Sequence, residues 1–153
     1  MTSSKKPLFL SALLATASAA ALFATSRLVQ GAGDDAAKPV AVIKDVMLAV
    51  NAGDGGLVAR LKADFANDKI DDEGWETAKA RASMIMEAGN LLYSLKPPKG
   101  DEAAWKKHVA DYRGCAEQAR DASIKKDAAA GKAAVTGLQK RCAECHKEHK
   151  GDD

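Results

Sequence analysis

The chain has few of the residues that build β-sheets. Aromatic residues make up 5% of its 153 residues, β-branched residues are scarce, and no stretch alternates regularly between apolar and polar side chains. Strands favour aromatic and β-branched residues, and a half-buried strand shows that alternation. These absences argue against a sheet and predict an all-α fold.

The chain also has no net positive charge once the N-terminus is set aside. The whole chain has a formal net charge of +2, but residues 1–31 contain Lys5, Lys6 and Arg27 and no acid. The formal charge of the remaining 122 residues is therefore −1, and they are enough for one domain with one core. No basic stripe interleaved with aromatic residues occurs, so we expect no nucleic-acid partner.

The chain lacks the common catalytic constellations. It contains no evident nucleophile–base pair, no paired carboxylates at a plausible site and no phosphate-binding loop. We therefore predict that the protein is not an enzyme.

Residues 1–31 have the layout of a secretory signal peptide. A basic start precedes an apolar stretch from Leu8 to Ala24, and small residues follow around Gly31. An uncleaved membrane anchor is the alternative, since about 17 apolar residues lie at the short edge of spanning length. The many alanine, serine and threonine residues favour cleavage, which predicts a periplasmic protein without a membrane span, with residues 32–38 as a flexible lead-in.

Residues 39–150 read as helices, because their apolar residues recur at spacings of three and four. Pro97-Pro98 must end one helix, and Asp101 is a good N-cap for the next. Predicted helices cover about 39–51, 57–67, 71–95, a span from 101 onward, and 128–149. Their inward stripes are Val40, Ile43, Met47 and Val50; Leu57, Leu61 and Phe65; Trp75, Ala78, Ala82, Ile85, Gly89 and Leu92; Trp105, Val109, Tyr112, Ala116 and Ala119; and Val135, Leu138, Cys142, Cys145 and His149. Such stripes with short connections predict an up-down-up-down four-helix bundle.

Close to the C-terminus stands Cys142-Ala143-Glu144-Cys145-His146, a C-x-x-C-H string typical of covalent haem attachment. Residues three and four apart on a helix share a face, so Cys142, Cys145 and His146 would point to one side. Each thiol can form a thioether with one vinyl group of a c-type haem, and the imidazole can bind the iron as proximal ligand. One covalently attached haem c is therefore predicted.

Three other interpretations of the cysteine pair stay open. A thioredoxin-like redox pair requires a preceding strand in a βαβ unit, which this helical pattern does not supply. A zinc site would need His149 and Cys115 to complete its ligands. A short-loop disulfide would be strained inside a helix.

Many of the inward-facing residues are small. Small side chains cannot fill a bundle interior to normal density, so a bulky apolar group should occupy the space, and a porphyrin held by the last helix would do so. The small residues are Ala78, Ala82, Gly89, Ala116 and Ala119.

A helical chain of this length with C-x-x-C-H on its last helix resembles the cytochrome c-prime family over roughly residues 39–150. The segment 95–101 followed by Trp105 is similar to a connection in a bacterial branch of that family. The resemblance implies a four-helix bundle with haem c near one end, frequent dimerisation, and a role in electron transfer or in binding gases such as NO.

The resemblance also assigns individual residues. It implies thioether bonds at Cys142 and Cys145 and iron ligation by His146. His149 stands where an aromatic residue is common in the family, and we expect it to be exposed near the C-terminus.

The other face of the iron decides the function. In the family, helix one covers that face, sometimes with a methionine ligand, and Met47 is similar in position to that methionine. A sulfur–iron bond would give a six-coordinate site that favours electron transfer with redox partner proteins. If Met47 only packs nearby, the iron is five-coordinate and could bind NO or CO.

Several residues are weaker candidates for the site. Met84 and Met86 are less well placed than Met47, and His108, one position off its stripe, is expected to be solvated. Cys115 is expected to be a small buried apolar residue, with a dimer-linking disulfide as the alternative. The preferred function is that of a periplasmic c-type cytochrome transferring single electrons; the alternative is a haem protein that binds NO or CO.

Overall fold

The computed structural model describes residues 39–151. This part of the chain forms five helices and contains no strand, so the predicted all-α class is confirmed for it. The predicted signal peptide and the lead-in, residues 1–31 and 32–38, lie outside the described residues. The helices are α1 (Ile43–Val46), which continues as a π-helical turn (Met47–Asn51), α2 (Leu57–Ala66), α3 (Asp72–Ser94), α4 (Glu102–Ile124) and α5 (Ala128–His149).

Helix α1 begins about one turn later than the sequence predicts. The backbone N–H of Val42 donates to the Asp45 carboxylate at 3.0 Å, which fixes the start of the helix after Val42. Val40, expected on the inward stripe, precedes the helix and is 96% exposed. The buried side chains of this segment are instead Val46 and Val50.

Helix α3 begins and ends within one residue of its predicted bounds, and α4 begins after Asp101 as the sequence predicts. Asp71 and Asp101 cap them, each side chain accepting a backbone N–H three residues on at 2.8 Å. The indole N–H of Trp105, near the start of α4, donates to the carbonyl of Leu92, near the end of α3, at 3.0 Å. At the other end, Lys126 pairs with Asp72 at 2.7 Å, so the two helices run in opposite directions.

Helix α5 returns along α4 after a three-residue turn. Asp127 caps α5 by accepting the N–H of Ala130 at 2.9 Å, and Lys126 takes a left-handed conformation in the turn, with φ of 55°. Near the far end of α5, Glu148 lies 3.2 Å from His108, which is in the second turn of α4. The end of α5 is thereby placed beside the beginning of α4.

Helix α2 packs against both α3 and α5. Arg81 of α3 forms an ion pair with Asp64 of α2. The Phe65 ring lies 6.3 Å from the Trp75 ring, and a Cβ on Gly131 of α5 would lie 2.4 Å from the Phe65 ring. α2 therefore packs on the side of both α3 and α5, whereas the sequence pattern gave inward stripes to the segment before it and to α2 alike.

The small inward residues lie where helices approach each other closely. Ala78, Ala82, Ala116 and Ala119 are fully buried, and the aliphatic part of Arg113 fills the space beside Gly89. The three grooves beside the C-x-x-C-H motif are lined by other residues. The small residues thus permit close packing of α3 and α4 and do not border the space near the motif, in contrast to the expectation from volume alone.

Candidate functional site

The C-x-x-C-H residues border one groove at the end of the molecule where α5 finishes. Because α5 is continuous through His149, Cys142, Cys145 and His146 lie on neighbouring turns of a single helix. Met47, from the π-helical turn, borders the same groove. We call this space the motif groove; its other lining residues are Asn51, Leu92, Trp105, His108, Val109, Tyr112 and Arg141.

The motif groove is narrow, and wider clefts adjoin it. Its cavity volume is about 20 Å³, room for little more than a water molecule. Clefts of about 540 Å³ and 340 Å³ lie beside it, and His146 lines both. His146 is exposed, whereas Cys142 and Cys145 are half-buried.

Burial favours the neutral form of both motif cysteine thiols. Burial raises the pKa of Cys142. Burial, followed by the neighbouring Cys142 and Glu148, raises the pKa of Cys145 to about 11. Since zinc binds thiolates, these environments favour the neutral form over the form a zinc site needs.

The geometry does not support a disulfide or a zinc site at the motif cysteines. All three cysteines are free thiols, so the described residues contain no disulfide. Within residues 39–151, the group of side chains close enough to hold a metal is His108, Glu148 and His149, and it includes no cysteine. The zinc site suggested by the sequence, which combined the motif cysteines with Cys115 and His149, is therefore not assembled.

Met47 is held by two polar side chains that sequence reasoning missed. The Asn51 amide donates to the Met47 sulfur at 3.6 Å, and the Tyr112 hydroxyl donates to the Asn51 carbonyl oxygen at 3.2 Å. Tyr112 is buried, and burial raises the pKa of its hydroxyl well above its ordinary value. The i to i+4 spacing of Met47 and Asn51 was the signal in the sequence that could have found this contact.

The weaker methionine candidates lie elsewhere. Met84 is 57% exposed, and Met86 packs at the edge of the hydrophobic core. Neither lines the motif groove. Of the methionines in the described residues, Met47 is thus the one that the fold brings to the motif.

Cys115 is half-buried and packs against the core, close to its expected role. A Cβ on Gly137 of α5 would lie 3.3 Å from its sulfur, so the thiol faces the neighbouring helix. Burial raises the pKa of Cys115. The dimer-linking disulfide stays a prediction.

Two histidines differ from their expected environments. His149 is 2% exposed, because the 95–101 connection before α4 lies against it, with the Lys99 carbonyl oxygen 2.9 Å from its Nδ1. The His108 side chain is 15% exposed and lies 3.2 Å from Glu148. Neither is solvated as the sequence suggested, since each lies where the 95–101 connection and the end of α5 converge.

No protein-family model, curated protein or solved structure matches the chain. Within residues 39–151, no helix combines the length and the apolar character that crossing a bilayer requires. The interpretation of the site therefore depends on its own residues.

Proposed function

We propose that this protein is a periplasmic c-type cytochrome of the cytochrome c-prime kind, which transfers single electrons. The observation that carries the proposal is the meeting of Cys142, Cys145 and His146 with Met47 at one groove. The opposite directions of α3 and α4 support an up-down-up-down arrangement of α2, α3, α4 and α5. The proposal includes export by residues 1–31 and, from the family resemblance, association into a homodimer.

The residues present fit a covalently attached haem c. Cys142 and Cys145 offer two thiols on one helix face, and His146 offers an imidazole that has no hydrogen-bond or ion-pair partner among the described residues. Leu92, Trp105 and Val109 supply the apolar wall that a porphyrin requires. Cys142 and Cys145 would hold the group and His146 would bind its iron; when bound, the group supplies a one-electron couple between ferric and ferrous iron.

The Met47 contacts support the electron-transfer role. The Asn51 amide fixes the Met47 side chain at the groove, and Tyr112 in turn fixes Asn51. A sulfur held in this way would give up little rotamer freedom on binding iron, because part of that freedom is already lost. The donated hydrogen bond leaves the sulfur another lone pair for a metal.

A second candidate function has its own support. Asn51 and Tyr112 place an amide and a hydroxyl beside the motif groove. If Met47 stays off the iron, these groups could donate hydrogen bonds to a diatomic ligand such as NO, and the protein would bind the gas at a five-coordinate haem.

The first experiment is mass spectrometry and optical spectroscopy of the protein exported from a host that attaches haem c. We expect a mass increase of one haem that survives denaturation, and a haem c pyridine spectrum. The Cys142→Ser/Cys145→Ser double variant should lack both. A colourless wild-type protein that is nevertheless folded would refute the proposal.

The ferric spectrum then separates the two functions. Electron transfer predicts a low-spin spectrum with a weak methionine-to-iron band that Met47→Ala abolishes. The matched control is Met84→Ala, because Met84 is exposed and lies away from the groove. A high-spin spectrum that shifts on adding CO or NO, and that Met47→Ala leaves unchanged, would support gas binding.

A further inference from the structure

A cluster of His108, Glu148 and His149 lies beside the C-x-x-C-H motif without sharing any of its three residues. One ligand atom from each side chain lies within 4.8 Å of the other two. We propose that this His–Glu–His cluster binds a divalent transition-metal ion, with Zn²⁺ the best match. None of the three residues is one that would hold the haem, although His108 also lines the motif groove.

The hydrogen bonds of His149 leave one nitrogen ready to bind a metal. Its Nδ1 lies 2.9 Å from the Lys99 carbonyl oxygen, and a carbonyl can only accept, so Nδ1 carries the proton. In the neutral ring, Nε2 then has a free lone pair. This atom is buried and has no hydrogen-bond partner, in a side chain that is 1% exposed.

That lone pair faces another acceptor. The Nε2 of His149 lies 3.7 Å from Oε2 of Glu148, too far for a hydrogen bond. The Glu148 carboxylate is partly exposed to solvent, whereas the buried His149 Nε2 has no hydrogen-bond donor among the described residues to satisfy it, and a cation between the two acceptors would satisfy both. A bound metal ion removes this conflict.

The spacing of the ligands suits a small ion. A tetrahedral zinc with bonds of about 2.0–2.1 Å separates its ligand atoms by about 3.3–3.5 Å. Oε2 of Glu148 lies 3.2 Å from Nε2 of His108 and 3.7 Å from Nε2 of His149, distances that bracket this value. Small side-chain rotations would complete the site.

The surroundings hold the imidazoles in place. The His149 ring packs edge-on against the Trp105 ring at 5.5 Å and against the His108 ring at 5.6 Å. The Lys99 carbonyl acts as the outer partner that metal-binding histidines commonly have. Gly100 makes this contact attainable: its φ is 84°, and a Cβ there would lie 2.8 Å from Nδ1 of His149.

The donor set selects the kind of metal. Two imidazoles and one carboxylate suit Zn²⁺ and its neighbours, whereas Mg²⁺ and Ca²⁺ prefer oxygen ligands. Glu148 is 55% exposed, which leaves a path for the ion and an open position for water. Three protein ligands with one open position is a common arrangement for zinc.

The test is isothermal titration of the purified, chelator-treated protein with zinc chloride. We expect one zinc ion per chain, not displaced by excess magnesium. His108→Gln and Glu148→Gln should each weaken binding at least about 100-fold, while Glu117→Gln, a change at an exposed acid of α4, leaves it unchanged. Zinc binding that both cluster variants retain would overturn the proposal, as would no binding at all.

Two further measurements test the role of the Lys99 carbonyl and the position of the bound ion. Gly100→Ala should weaken zinc binding about 10- to 100-fold by displacing the Lys99 carbonyl, whereas Gly53→Ala, at another left-handed glycine with no atoms near its Cβ position, should not. In zinc-soaked crystals of the wild-type protein, anomalous scattering should place the ion between His108 and His149. An ion found instead on Cys142 and Cys145 would overturn the assignment.

Discussion

Replacing Gly131 by alanine tests the contact that holds α5 against α2. A Cβ at Gly131 would lie 2.4 Å from two atoms of the Phe65 ring and 2.7 Å from a third. Ordinary carbon–carbon contacts are about 3.5–4.0 Å, so the ring must move by about 1 Å. Phe65 is fully buried, and little free space is available to it.

Two opposing effects set the size of the change. Overpacking of a core costs about 1–3 kcal/mol, while glycine to alanine inside a helix contributes about 1 kcal/mol of stability. Three ring atoms are contacted well inside the normal distance, which puts the cost in the upper part of its range. We therefore expect Gly131→Ala to lower the free energy of unfolding by about 1–2 kcal/mol.

Gly114→Ala is the matched control. Gly114 also lies inside a helix, α4, but a Cβ there would meet nothing within 4 Å. This variant should gain about 0.5–1 kcal/mol. Urea unfolding of both variants and the parent, followed by circular dichroism, measures the difference; equal stabilisation of both would show that α2 and α5 are not packed as described.

Three other changes have defined outcomes. Asp101→Ala removes the acceptor of the Ala104 N–H and should cost about 1 kcal/mol in the same unfolding assay; no loss would mean that water replaces the cap. Trp105→Phe removes a buried hydrogen bond to the Leu92 carbonyl and should lower the free energy of unfolding by about 1 kcal/mol, the low end of the range of about 1–3 kcal/mol for a lost buried hydrogen bond, because that carbonyl still accepts a backbone N–H. A loss above about 3 kcal/mol would contradict this reasoning. In haem-free chain, alkylation of Cys145 should accelerate with pH up to about 11, not level off near the ordinary value of 9.0. Because folding favours the neutral thiol, that chain should also lose stability as pH rises between these values; in haem-loaded protein Cys145 should not react.

The sequence predicted the bounds of α2, α3 and α5 and the start of α4 well, because local signals mark several of these boundaries. Asp71, Asp101 and Asp127 cap helices through their own side chains, and Pro97-Pro98 prevents continuation of α3. Long stripes then fixed the buried faces. Helix α1 is short, and its start depends on a single contact between Asp45 and Val42. The spacing of its apolar residues therefore predicted a start about one turn too early.

The candidate site was only partly predictable. The motif residues were found because haem attachment constrains their type and spacing, and Met47 was found from the family resemblance and its place on an inward stripe. Asn51, Tyr112 and the His–Glu–His cluster were missed, since their contacts join residues far apart in the chain, such as Tyr112 with Asn51 and His108 with Glu148. The small residues were misread because volume alone does not tell whether helices separate or approach.

The sequence by itself determined the helical class, most helix boundaries, the buried stripes and a C-x-x-C-H string on the last helix, because each follows from spacing and local hydrogen bonding. Tertiary structure alone decided that Met47 reaches the motif groove, that α3 and α4 close over their small residues, and that His149 is buried against Lys99. These outcomes depend on how helices pack in three dimensions, and packing sums contacts between distant residues that no local pattern encodes.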